Sequence, residues 1–553
     1  MPAHQTSSSS VSESASRTPV DIRRFPWIRK LAADYTYDFD SVAPFFAGNP
    51  GERRHWADAI ARVQARPGRR QAIAAVLRAQ LARRRAPARA VEAVDRLAAE
   101  KSVAIMTGQQ AGLFGGPLFT LLKAVTALKL ADRLSREHKT DAVAVFWIEA
   151  EDHDWDEVRS CTVFDEALTP RSVSLSAAAP DAIPVSRVRL DQSIDAVLDT
   201  LEQVLPPTEF RTSLLADLRA AYAPGVGMAD AFAIWLERVF GDRGLLVFDA
   251  SDPAAKPLAS SVFVRELGRP GATMEQAARA GSALASRGYH VQAQTSDGAV
   301  ALFRLDDTRR PIRRQDGRFF AGNESFDEAT LIEEASTRPG AFSPNVLLRP
   351  IVQDTLFPTV CYVAGPNELA YLGQLRGVYE QFNLPMPLIY PRASATLLDR
   401  AAVRFLQKYQ LPLDSMQPQD EAGLNALLRA QIPPAIEESF SAAGRAIQES
   451  LAHVADTLLS LDPTLEGAAR STIGRMQHDL ETLQAKTIQA AKRRDETLRR
   501  QYLRTRALAF PDGHPQERAI GFVSFLNQYG PALVDRLAEE LPLDLGYHWV
   551  VSI

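Results

Sequence analysis

One stretch of sequence decides the fold: SVAIM at Ser102–Met106, TGQQAGLFGGP at Thr107–Pro117, LFTLLKAVTALKLADRL at Leu118–Leu134 and AVAVFWI at Ala142–Ile148. The two short apolar runs have the length and composition of buried parallel strands. The segment between them is rich in glycine at first and then takes up a helical periodicity. Strand, glycine loop, helix and strand together predict a βαβ unit.

Other segments extend this unit into a parallel sheet. Gly244–Asp249 (GLLVFD) predicts another strand, and the core resumes at Val346–Ala364 and at Pro387–Pro391. Between these segments the pattern alternates, as in Val291–Phe320, where Asp316–Gly317 is a typical hairpin turn. The fold class predicted is therefore α/β, with a Rossmann-like parallel core interrupted by two insertions, the second of which contains a small antiparallel sheet.

A long helical hairpin is predicted near the C-terminal end. Apolar residues recur at steps of three and four in Ile447–Leu461, which is the spacing of a coiled-coil seam. Asp462-Pro463 then supplies a helix cap and a first-turn proline, so a second helix begins there. Arms of about 40 residues would be too long to bury their apolar stripe on their own core. The sequence therefore predicts an antiparallel hairpin that forms a homodimer with a second copy.

These patterns predict an order of segments along the chain. The segments are a disordered tail at 1–19, the first part of the core at 20–160, insertion 1 at 161–240, a core strand at 241–255, insertion 2 at 256–340, the second part of the core at 341–420, the coiled-coil hairpin at 421–508 and a C-terminal segment packing on the core at 509–553.

Composition excludes several classes of protein. The 553 residues are 46% hydrophobic and 24% charged, with a net charge of −4, so no global field favours nucleic acid or an anionic membrane. No apolar run is long enough to span a bilayer, and the N-terminal residues lack the apolar region of a signal peptide. Two cysteines exclude a disulfide framework and a four-cysteine zinc site. We expect a cytoplasmic protein without zinc or another structural metal.

The glycine loop is the first candidate site. Bare backbone N–H groups and a helix N-terminus form a cradle for anions, which favours nucleotide phosphates. The residues predicted to bind the nucleotide there are Thr107, Gly108, Gly112, Gly115 and Gly116, and the amides Gln109 and Gln110 are predicted to be catalytic. The glycine spacing fits neither the dinucleotide fingerprint nor the P-loop. A tight turn that only caps the helix is the alternative.

A cluster of acids after the second strand is another candidate. Glu149–Glu157 (EAEDHDWDE) contains six carboxylates and a histidine. Because ligands bind outside the carboxyl ends of parallel strands, the cluster should face the glycine loop. Crowded carboxylates need a cation, such as a substrate ammonium group or Mg²⁺. Asp152 and His153 are predicted to be catalytic and Glu151 and Asp154 to bind substrate. Acids that merely cap a helix are the alternative.

Two later strand ends complete the candidate site. In NVLLRPIVQDTLFPTVCYVAGPNELAYL, at Asn345–Leu372, Arg349 precedes a proline predicted to be extended, and a strand runs into Asn367 and Glu368. These three residues are predicted to bind substrate, since a guanidinium group suits a carboxylate or phosphate. Arg392, after the strand at Pro387–Pro391, is predicted to bind the nucleotide. A buried structural role for Arg349 is equally open.

Several of these stretches resemble the cysteine ligases of bacillithiol biosynthesis, the BshC family. The resemblance covers nearly the whole chain after about Val20. The matching stretches are TGQQAGLFGGPLFTLLKA at 107–124, VFWIEAEDHDWDEV at 145–158, RPIVQDTLFPTVCYVAGPNELAYL at 349–372, LDPTLEGAARSTIGRM at 461–476 and LAFPDGHPQERAIGFVSFLNQYG at 508–530.

The resemblance implies a fold and a reaction. The fold implied is a Rossmann core related to class I aminoacyl-tRNA synthetases, with two connecting insertions and a dimerising coiled coil. The reaction implied is the joining of cysteine to the amine of glucosaminyl-malate. The leading hypothesis is that ATP, with Mg²⁺, activates the cysteine carboxylate as an adenylate or an acyl phosphate, with His153 as a candidate base for the attacking amine. A nucleotidyltransferase acting on another small acid, or an inactive coiled-coil scaffold, remains an alternative.

One difference from the synthetases bears on the mechanism. By position, Thr107–Pro117 corresponds to their His-x-Gly-His loop, but it contains no histidine. No Lys-Met-Ser-Lys-Ser motif is present either. Gln109 and Gln110 are candidates for neutral hydrogen-bond donors in place of the histidines, and Arg392 or Lys123 for the positive charge.

Overall fold

The computed structural model describes residues 17–176, 183–293, 296–306, 308–431, 433–494 and 496–553. The chain divides into two compact units. The first, called the core unit here, extends to Leu397 and includes Gln516–Ile553. The second, called the hairpin unit, is Leu398–Pro515.

The described residues form 15 strands. In chain order they are β1 Arg17–Asp21, β2 Val103–Gln110, β3 Ala142–Glu149, β4 Ser160–Phe164, β5 Pro170–Ser174, β6 Leu246–Asp249, β7 Ala299–Leu305, β8 Arg309–Gln315, β9 Arg318–Ala321, β10 Glu324–Phe326, β11 Phe342–Pro344, β12 Thr359–Ala364, β13 Leu388–Pro391, β14 Ser394–Leu398 and β15 Tyr547–Ser552.

The same residues form 24 α-helices. They are α1 Lys30–Tyr37, α2 Phe39–Val42, α3 Arg53–Gln64, α4 Arg70–Arg84, α5 Ala88–Ala98, α6 Leu118–His138, α7 Trp155–Val158, α8 Ser193–Val204, α9 Arg211–Ala221, α10 Met228–Phe240, α11 Lys256–Leu267, α12 Ala272–Ser286, α13 Glu328–Thr337, α14 Arg349–Leu356, α15 Leu369–Leu372, α16 Arg376–Gln381, α17 Arg400–Lys408, α18 Ala422–Ala430, α19 Pro434–Leu461, α20 Glu466–Arg494, α21 Glu496–Ala509, α22 Gln516–Ala519, α23 Phe522–Tyr529 and α24 Ala532–Glu540. Among these described helices, none combines the length and apolar character needed to cross a membrane.

A five-stranded parallel sheet forms the centre of the core unit, in the order β13-β12-β2-β3-β6. The longest pairing joins β2 to β3, from Val103 opposite Ala142 to Gln110 opposite Glu149. Helix α6 connects these two strands and packs on both. The predicted Rossmann-like core and its βαβ unit are confirmed.

Both faces of this sheet are buried, which explains the continuous apolar runs of its strands. Side chains alternate between faces along a strand. Ala104, Met106 and Trp147 therefore share one face, where they join a core cluster with residues of α4 and α5. Ile105 and Phe146 lie on the other face and are equally inaccessible to solvent. The sheet is thus a middle layer between helices.

The segments predicted as insertions contain the expected alternating strands. In the first, β4 and β5 form an antiparallel pair, and its last helix, α10, packs on core strand β6. In the second, the antiparallel sheet has the order β10-β9-β8-β7-β11. Its edge strand β11 lies beyond the boundary predicted at residue 340, because only pairing with β7 reveals this three-residue strand.

The two ends of the core unit meet in a three-stranded sheet of order β1-β15-β14. The prediction that the C-terminal residues return to a sheet is confirmed. The disordered tail predicted at 1–19 falls outside the described residues as far as residue 16. It was wrong for Arg17–Pro19, because these residues pair antiparallel with β15.

In the hairpin unit, α19 and α20 pack against each other as an antiparallel pair, with Gln484 Nε2 donating to Glu437 Oε1 at 3.3 Å. They contain 28 and 29 residues, so the predicted arms of about 40 residues were too long. The difference arises because α18 and α21 are separate helices, and α19 begins at a proline, which suits the first turn of a helix.

Candidate active site

The order of the parallel strands defines a switch point. From β2 the chain continues outward through β3 and β6, and then returns to β12 and β13 on the opposite side of β2. Connections that leave in opposite directions open a crevice at the carboxyl ends of the two strands between them. Here those strands are β2 and β12. Their ends carry the glutamines of one motif and the Gly-Pro-Asn-Glu loop of another.

An open cleft of about 470 Å³ lies at this switch point and is called the main cleft here. It contains eight of the fifteen site residues predicted from the sequence. Those eight are Gly108, Gln109, Gln110, Asp152, Arg349, Asn367, Glu368 and Arg392. The other residues of its wall are Phe119, Lys123, Trp147, Glu149, Glu157, Gln292, Val346, Tyr362, Gly365, Tyr371 and Arg518. The cleft is predominantly polar and carries charges of both signs.

The first residues of the predicted glycine loop belong to the sheet. Thr107 and Gly108 continue β2, and the buried Thr107 hydroxyl donates to the Val363 carbonyl at 3.1 Å. A Cβ atom on Gly108 would lie 2.7 Å from the Trp147 carbonyl oxygen, so glycine permits close strand packing there. Thr107 lies in β2 and not in the predicted loop, because backbone pairing with β3 continues beyond the apolar run. Its role in nucleotide binding stays a prediction.

The remaining glycines form the turn into α6. Gly115 and Gly116 have φ of +95° and +76°, a region that favours glycine. At Gly115 an added Cβ would also lie 2.2 Å from the Phe522 ring. This turn therefore needs glycine for conformation and packing, which is the alternative that the sequence left open. Gly112 and Gly116 line a second cavity beside the main cleft, described below.

An ion pair between the buried Lys123 and the partly buried Glu368 joins the two strand ends across the switch point. Lys123 Nζ lies 2.5 Å from Glu368 Oε1 and donates to the Gly108 carbonyl at 2.9 Å. Glu368 also accepts from the Gly365 N–H at 2.8 Å and from the Tyr362 hydroxyl at 3.0 Å. Burial acts to raise the pKa of Glu368, but Lys123 and these donors outweigh it and hold the pKa below its ordinary value. The carboxylate is thus anchored as an ion.

Gln109 and Gln110 present opposite amide atoms to the cleft. Gln109 Oε1 accepts from Lys123 Nζ at 3.2 Å, because an ammonium group only donates. The Gln109 amide nitrogen is therefore the atom that can donate to a ligand. Gln110 Nε2 donates to Asp152 Oδ2 at 2.8 Å, and a carboxylate only accepts. Gln110 Oε1 is buried and has no hydrogen-bond partner among the described residues. Both were predicted as donors, but Gln110 offers an acceptor.

Three carboxylates of the acidic cluster face the main cleft: Glu149, Asp152 and Glu157. Asp152 is held by Arg309, whose Nη1 lies 3.1 Å from Oδ1. Burial raises the pKa of Glu149, and Arg349 opposes this effect. Burial also raises the pKa of Glu157, and the nearby Asp154 and Asp152 add to it. This wall is suited to a cationic group or to proton transfer.

Three other predicted residues of the cluster lie outside the cleft wall. The buried Glu151 forms an ion pair with Lys256, so its charge is already compensated. Asp154 caps the short helix α7 by accepting from the Glu157 N–H at 3.2 Å. His153 is exposed beside Asp152 and Arg309. The partner of Glu151 is 105 residues away in sequence, so local pattern could not reveal this ion pair, and substrate binding by Glu151 stays a prediction.

Arg349 begins helix α14, so the extended segment predicted around it was wrong. Its Nη1 donates to Gln353 Oε1 at 3.0 Å, and its Nε is 3.9 Å from Glu149 Oε2. Its guanidinium carbon lies 5.5 Å from the centre of the Tyr362 ring, a cation–π contact. The side chain is largely buried and lines the cleft floor. It supplies a fixed positive charge there.

Arg392 and Arg518 flank the Phe119 ring at 5.5 and 5.6 Å from its centre. Arg392 is held by Glu517 through two contacts of 2.9 and 2.6 Å, so its charge is neutralised. No carboxylate lies within ion-pair distance of Arg518 in the described part of the chain. Arg518 is therefore the more available cation, although Arg392 was the one predicted to bind the nucleotide.

Comparison with known proteins identifies the family. Residues 19–393 match the model described as "Bacillithiol biosynthesis BshC, N-terminal Rossmann-like domain", and residues 395–553 match the C-terminal coiled-coil domain of the same family. The chain belongs to the BshC family. A relative from Salinibacter ruber is 34% identical and covers 98% of each chain. One from Chlorobaculum tepidum is 34% identical, over 86% of this chain and 87% of its own. Both carry the name "Putative cysteine ligase BshC".

Several residues of the BshC cleft were not predicted from the sequence. Three of them are aromatic and lie in apolar runs that predict only a buried strand or helix: Trp147, Tyr362 and Tyr371. Nothing in the local sequence indicates that these side chains line a cleft. Arg518 lies in one of the motifs resembling the family, and that motif was the available signal. Glu149 and Glu157 belong to the acidic cluster, but local sequence could not separate the acids facing the cleft from those capping α7.

Proposed function

We propose that this BshC-family chain is an ATP-dependent cysteine ligase of bacillithiol biosynthesis, which joins the carboxyl group of cysteine to the amine of glucosaminyl-malate. The observation that carries this proposal is a cleft, at the switch point of a Rossmann-like sheet, with cations and carboxylates facing each other. The names of the relatives supply the amino acid, and the description of the family model supplies the pathway. We also propose the cytoplasmic location expected from the sequence. The two cysteines, which are buried and form no disulfide, are compatible with it.

The charges of the main cleft fit the proposed substrates. ATP brings a polyphosphate, which the guanidinium group of Arg349 can bind. Cysteine brings an ammonium group, which the carboxylates Glu149 and Asp152 can accept. Placed together, these groups would hold the amino acid carboxylate against a phosphate. This juxtaposition favours activation of the carboxylate over simple binding of either ligand.

The carboxylates of the main cleft could contact Mg²⁺ that is bound mainly by the phosphates of ATP. The described residues contain no cluster of three or more His, Cys, Asp or Glu that could hold a metal ion. Magnesium in nucleotide sites is commonly bound by phosphate oxygens, waters and one or two carboxylates, so such a cluster is not required. Asp152 and Glu157 are the carboxylates that could contact it. When bound, Mg²⁺ would neutralise phosphate charge.

The amide-forming step needs a hydrogen-bond donor and an acceptor at the same place. The amine nitrogen attacks the activated carbonyl carbon, a C–N bond forms, and AMP or phosphate leaves with the bonding electron pair. The nitrogen loses its extra proton to a carboxylate or water. Gln109 Nε2, the amide atom that Lys123 does not contact, would donate to the oxygen that gains negative charge. In this proposal Gln109 has the role that a histidine has in the corresponding loop of class I aminoacyl-tRNA synthetases.

We further propose that the chain is a homodimer formed by the hairpin unit. Apolar side chains remain exposed on both long helices, including Val454 at 47% and Leu483 at 54% of full exposure. A second copy would cover them, as the predicted seam requires. The proposed site lies wholly within the core unit, so the proposal for catalysis does not depend on the dimer.

Purified protein supplied with ATP, Mg²⁺, cysteine and glucosaminyl-malate should yield a thiol product and one nucleotide product per amide. AMP would indicate an adenylate route and ADP an acyl phosphate route. A matched pair of variants tests the site. Gln109→Glu removes the donor and should lower kcat at least tenfold, whereas Gln64→Glu, on the outer helix α3, should not.

The alternatives give different results in the same assays. Nucleotide turnover that requires an acid other than cysteine would favour a nucleotidyltransferase of different specificity. Absence of ATP and ADP binding by calorimetry would favour a scaffold without catalytic activity. Either result would overturn the proposed reaction.

A further inference from the structure

A second cavity adjoins the main cleft and is called the side chamber here. Its volume is about 300 Å³, at the lower end of the range of small-molecule sites. Both cavities share one stretch of wall, formed by Gln109, Gln110, Phe119, Glu157 and Arg518. The rest of the chamber wall consists of Gly112, Gly116, Pro117, Val158, Ser160, Cys161, Thr162, Ala519 and Gly521. Two cavities meeting at a polar wall suit a reaction between two bound molecules.

Resting on the proposed ligase function, we propose that the side chamber binds the acceptor, an anionic amino sugar, and presents its amine to Gln110 at the shared wall. The first argument is the Gln110 amide itself. Its nitrogen is committed to Asp152, which leaves Oε1 as a buried acceptor without a partner among the described residues. A buried acceptor of this kind costs stability unless a donor arrives. The N–H of an amine is such a donor.

The second argument is the distribution of charge around the chamber. Glu157 lies at the shared wall, on the side where the amine would stand, and can accept a second N–H or the released proton. Arg518 also lies at this wall and has no ion pair among the residues that the structure describes. The N-terminus of α6, at Pro117 and Phe119, adds the positive end of a 21-residue helix. A carboxylate-bearing amine matches this arrangement of charges.

The third argument is the polarity and size of the inner wall. Gly112, Gly116 and Gly521 leave the wall without side chains, and Ser160 and Thr162 add hydroxyls. Such a surface suits a polyhydroxylated molecule more than an apolar one. Gly521 cannot be enlarged, since an added Cβ would lie 2.4 Å from Cys161 Sγ. The width of the chamber there is thus maintained by a glycine packed against a cysteine.

Filling the chamber tests the proposal. Ser160→Leu and Ala519→Leu each add bulk to the chamber wall and leave the main cleft unaltered. We expect the KM for glucosaminyl-malate to rise at least tenfold, and the KM values for ATP and cysteine to change less than twofold. Val346→Phe is the matched control, because Val346 lines only the main cleft, and it should raise the KM for ATP or cysteine instead.

Direct binding separates this proposal from the ligase proposal. Glucosaminyl-malate is titrated into each protein by calorimetry without ATP or cysteine, after thermal unfolding has confirmed that the variant is folded. Wild type and Val346→Phe should bind it, and at least one chamber variant should bind tenfold more weakly. Equal binding by both folded chamber variants, or no binding by wild type, overturns the chamber assignment. Absence of turnover with intact, chamber-dependent binding overturns only the ligase reaction.

Discussion

At the scale of single residues, the largely buried ion pair between Lys123 and Glu368 connects the two strands of the switch point. Its geometry could not be read from the sequence, because Lys123 lies in the apolar first half of α6 and Glu368 in a loop 245 positions later. Removing one member of a buried ion pair leaves the other charge uncompensated, and this typically costs about 3–5 kcal/mol. Substitution of Glu368 therefore tests how much this ion pair contributes to the stability of the core unit.

We expect Glu368→Gln to destabilise the core unit by roughly 3 kcal/mol or more, and the double variant Lys123→Met/Glu368→Gln to recover part of that loss. Urea unfolding followed by tryptophan fluorescence measures both. Arg84→Met provides the control, since it breaks another buried pair, with Glu237 at 2.7 Å, away from the cleft. It should cost similar stability without changing ATP affinity. A loss below about 1 kcal/mol in Glu368→Gln would contradict the role assigned to the pair.

A second prediction at this scale concerns pH. His548 is buried, with its ring nitrogens 2.7 Å from the hydroxyls of Ser394 and Thr396, and burial lowers its pKa to about 4. Between its ordinary pKa of 6.5 and about 4, the unfolded chain binds a proton that the folded chain does not. Stability should therefore fall as pH falls through this window, by roughly 3 kcal/mol for the full span.

The comparison with His548→Gln isolates this contribution. Burial raises the pKa of Glu237 to about 7 and that of Asp354 to about 6, and these two groups act in the opposite direction over the same range. The quantity to measure is therefore the difference in unfolding free energy between wild type and His548→Gln at pH 7 and at pH 4.5. That difference should shrink toward the lower pH. A difference independent of pH would rule out a neutral buried histidine.

At the scale of elements, the strength of local pattern decided what could be predicted. Apolar runs located the parallel strands, and alternation located the sheet of insertion 2. The end of β2 was missed because Gln109 and Gln110 are polar, and only their pairing with Ile148 and Glu149 makes them strand residues. The candidate site was located by the rule that ligands bind at strand ends. The partners within it could not be predicted, since they depend on which side chains meet across the sheet.

The hairpin helices carry the prediction that belongs to this scale. If a second copy covers their exposed apolar residues, charges placed there should prevent association. We expect Val454→Glu/Leu483→Glu to convert the dimer to a monomer, measured by light scattering after size-exclusion chromatography. Val91→Glu is the matched control, because Val91 is similarly exposed, at 42%, but lies on α5 of the core unit. A double variant that stays dimeric would place the interface elsewhere.

At the scale of the whole molecule, the two compact units differ in their spectroscopic signals. All six tryptophans lie in the core unit, at positions 27, 56, 147, 155, 235 and 549. The hairpin unit contributes two of the longest helices and hence much of the helical circular dichroism. Proteins with several units often unfold in more than one step. Tryptophan fluorescence should therefore follow the core unit alone, whereas circular dichroism follows both.

This division predicts how a ligand should affect unfolding. A ligand that binds only the folded main cleft stabilises that unit by about 2.7 kcal/mol at a concentration of 100 times its Kd. With Mg²⁺-ATP at such a concentration, the fluorescence transition in urea should move to higher denaturant, and any separate circular dichroism transition should stay in place. The monomeric hairpin variant should show the same shift, because the proposed site needs only core residues. A ligand shift confined to the hairpin transition would place nucleotide binding outside the main cleft and overturn the proposed site.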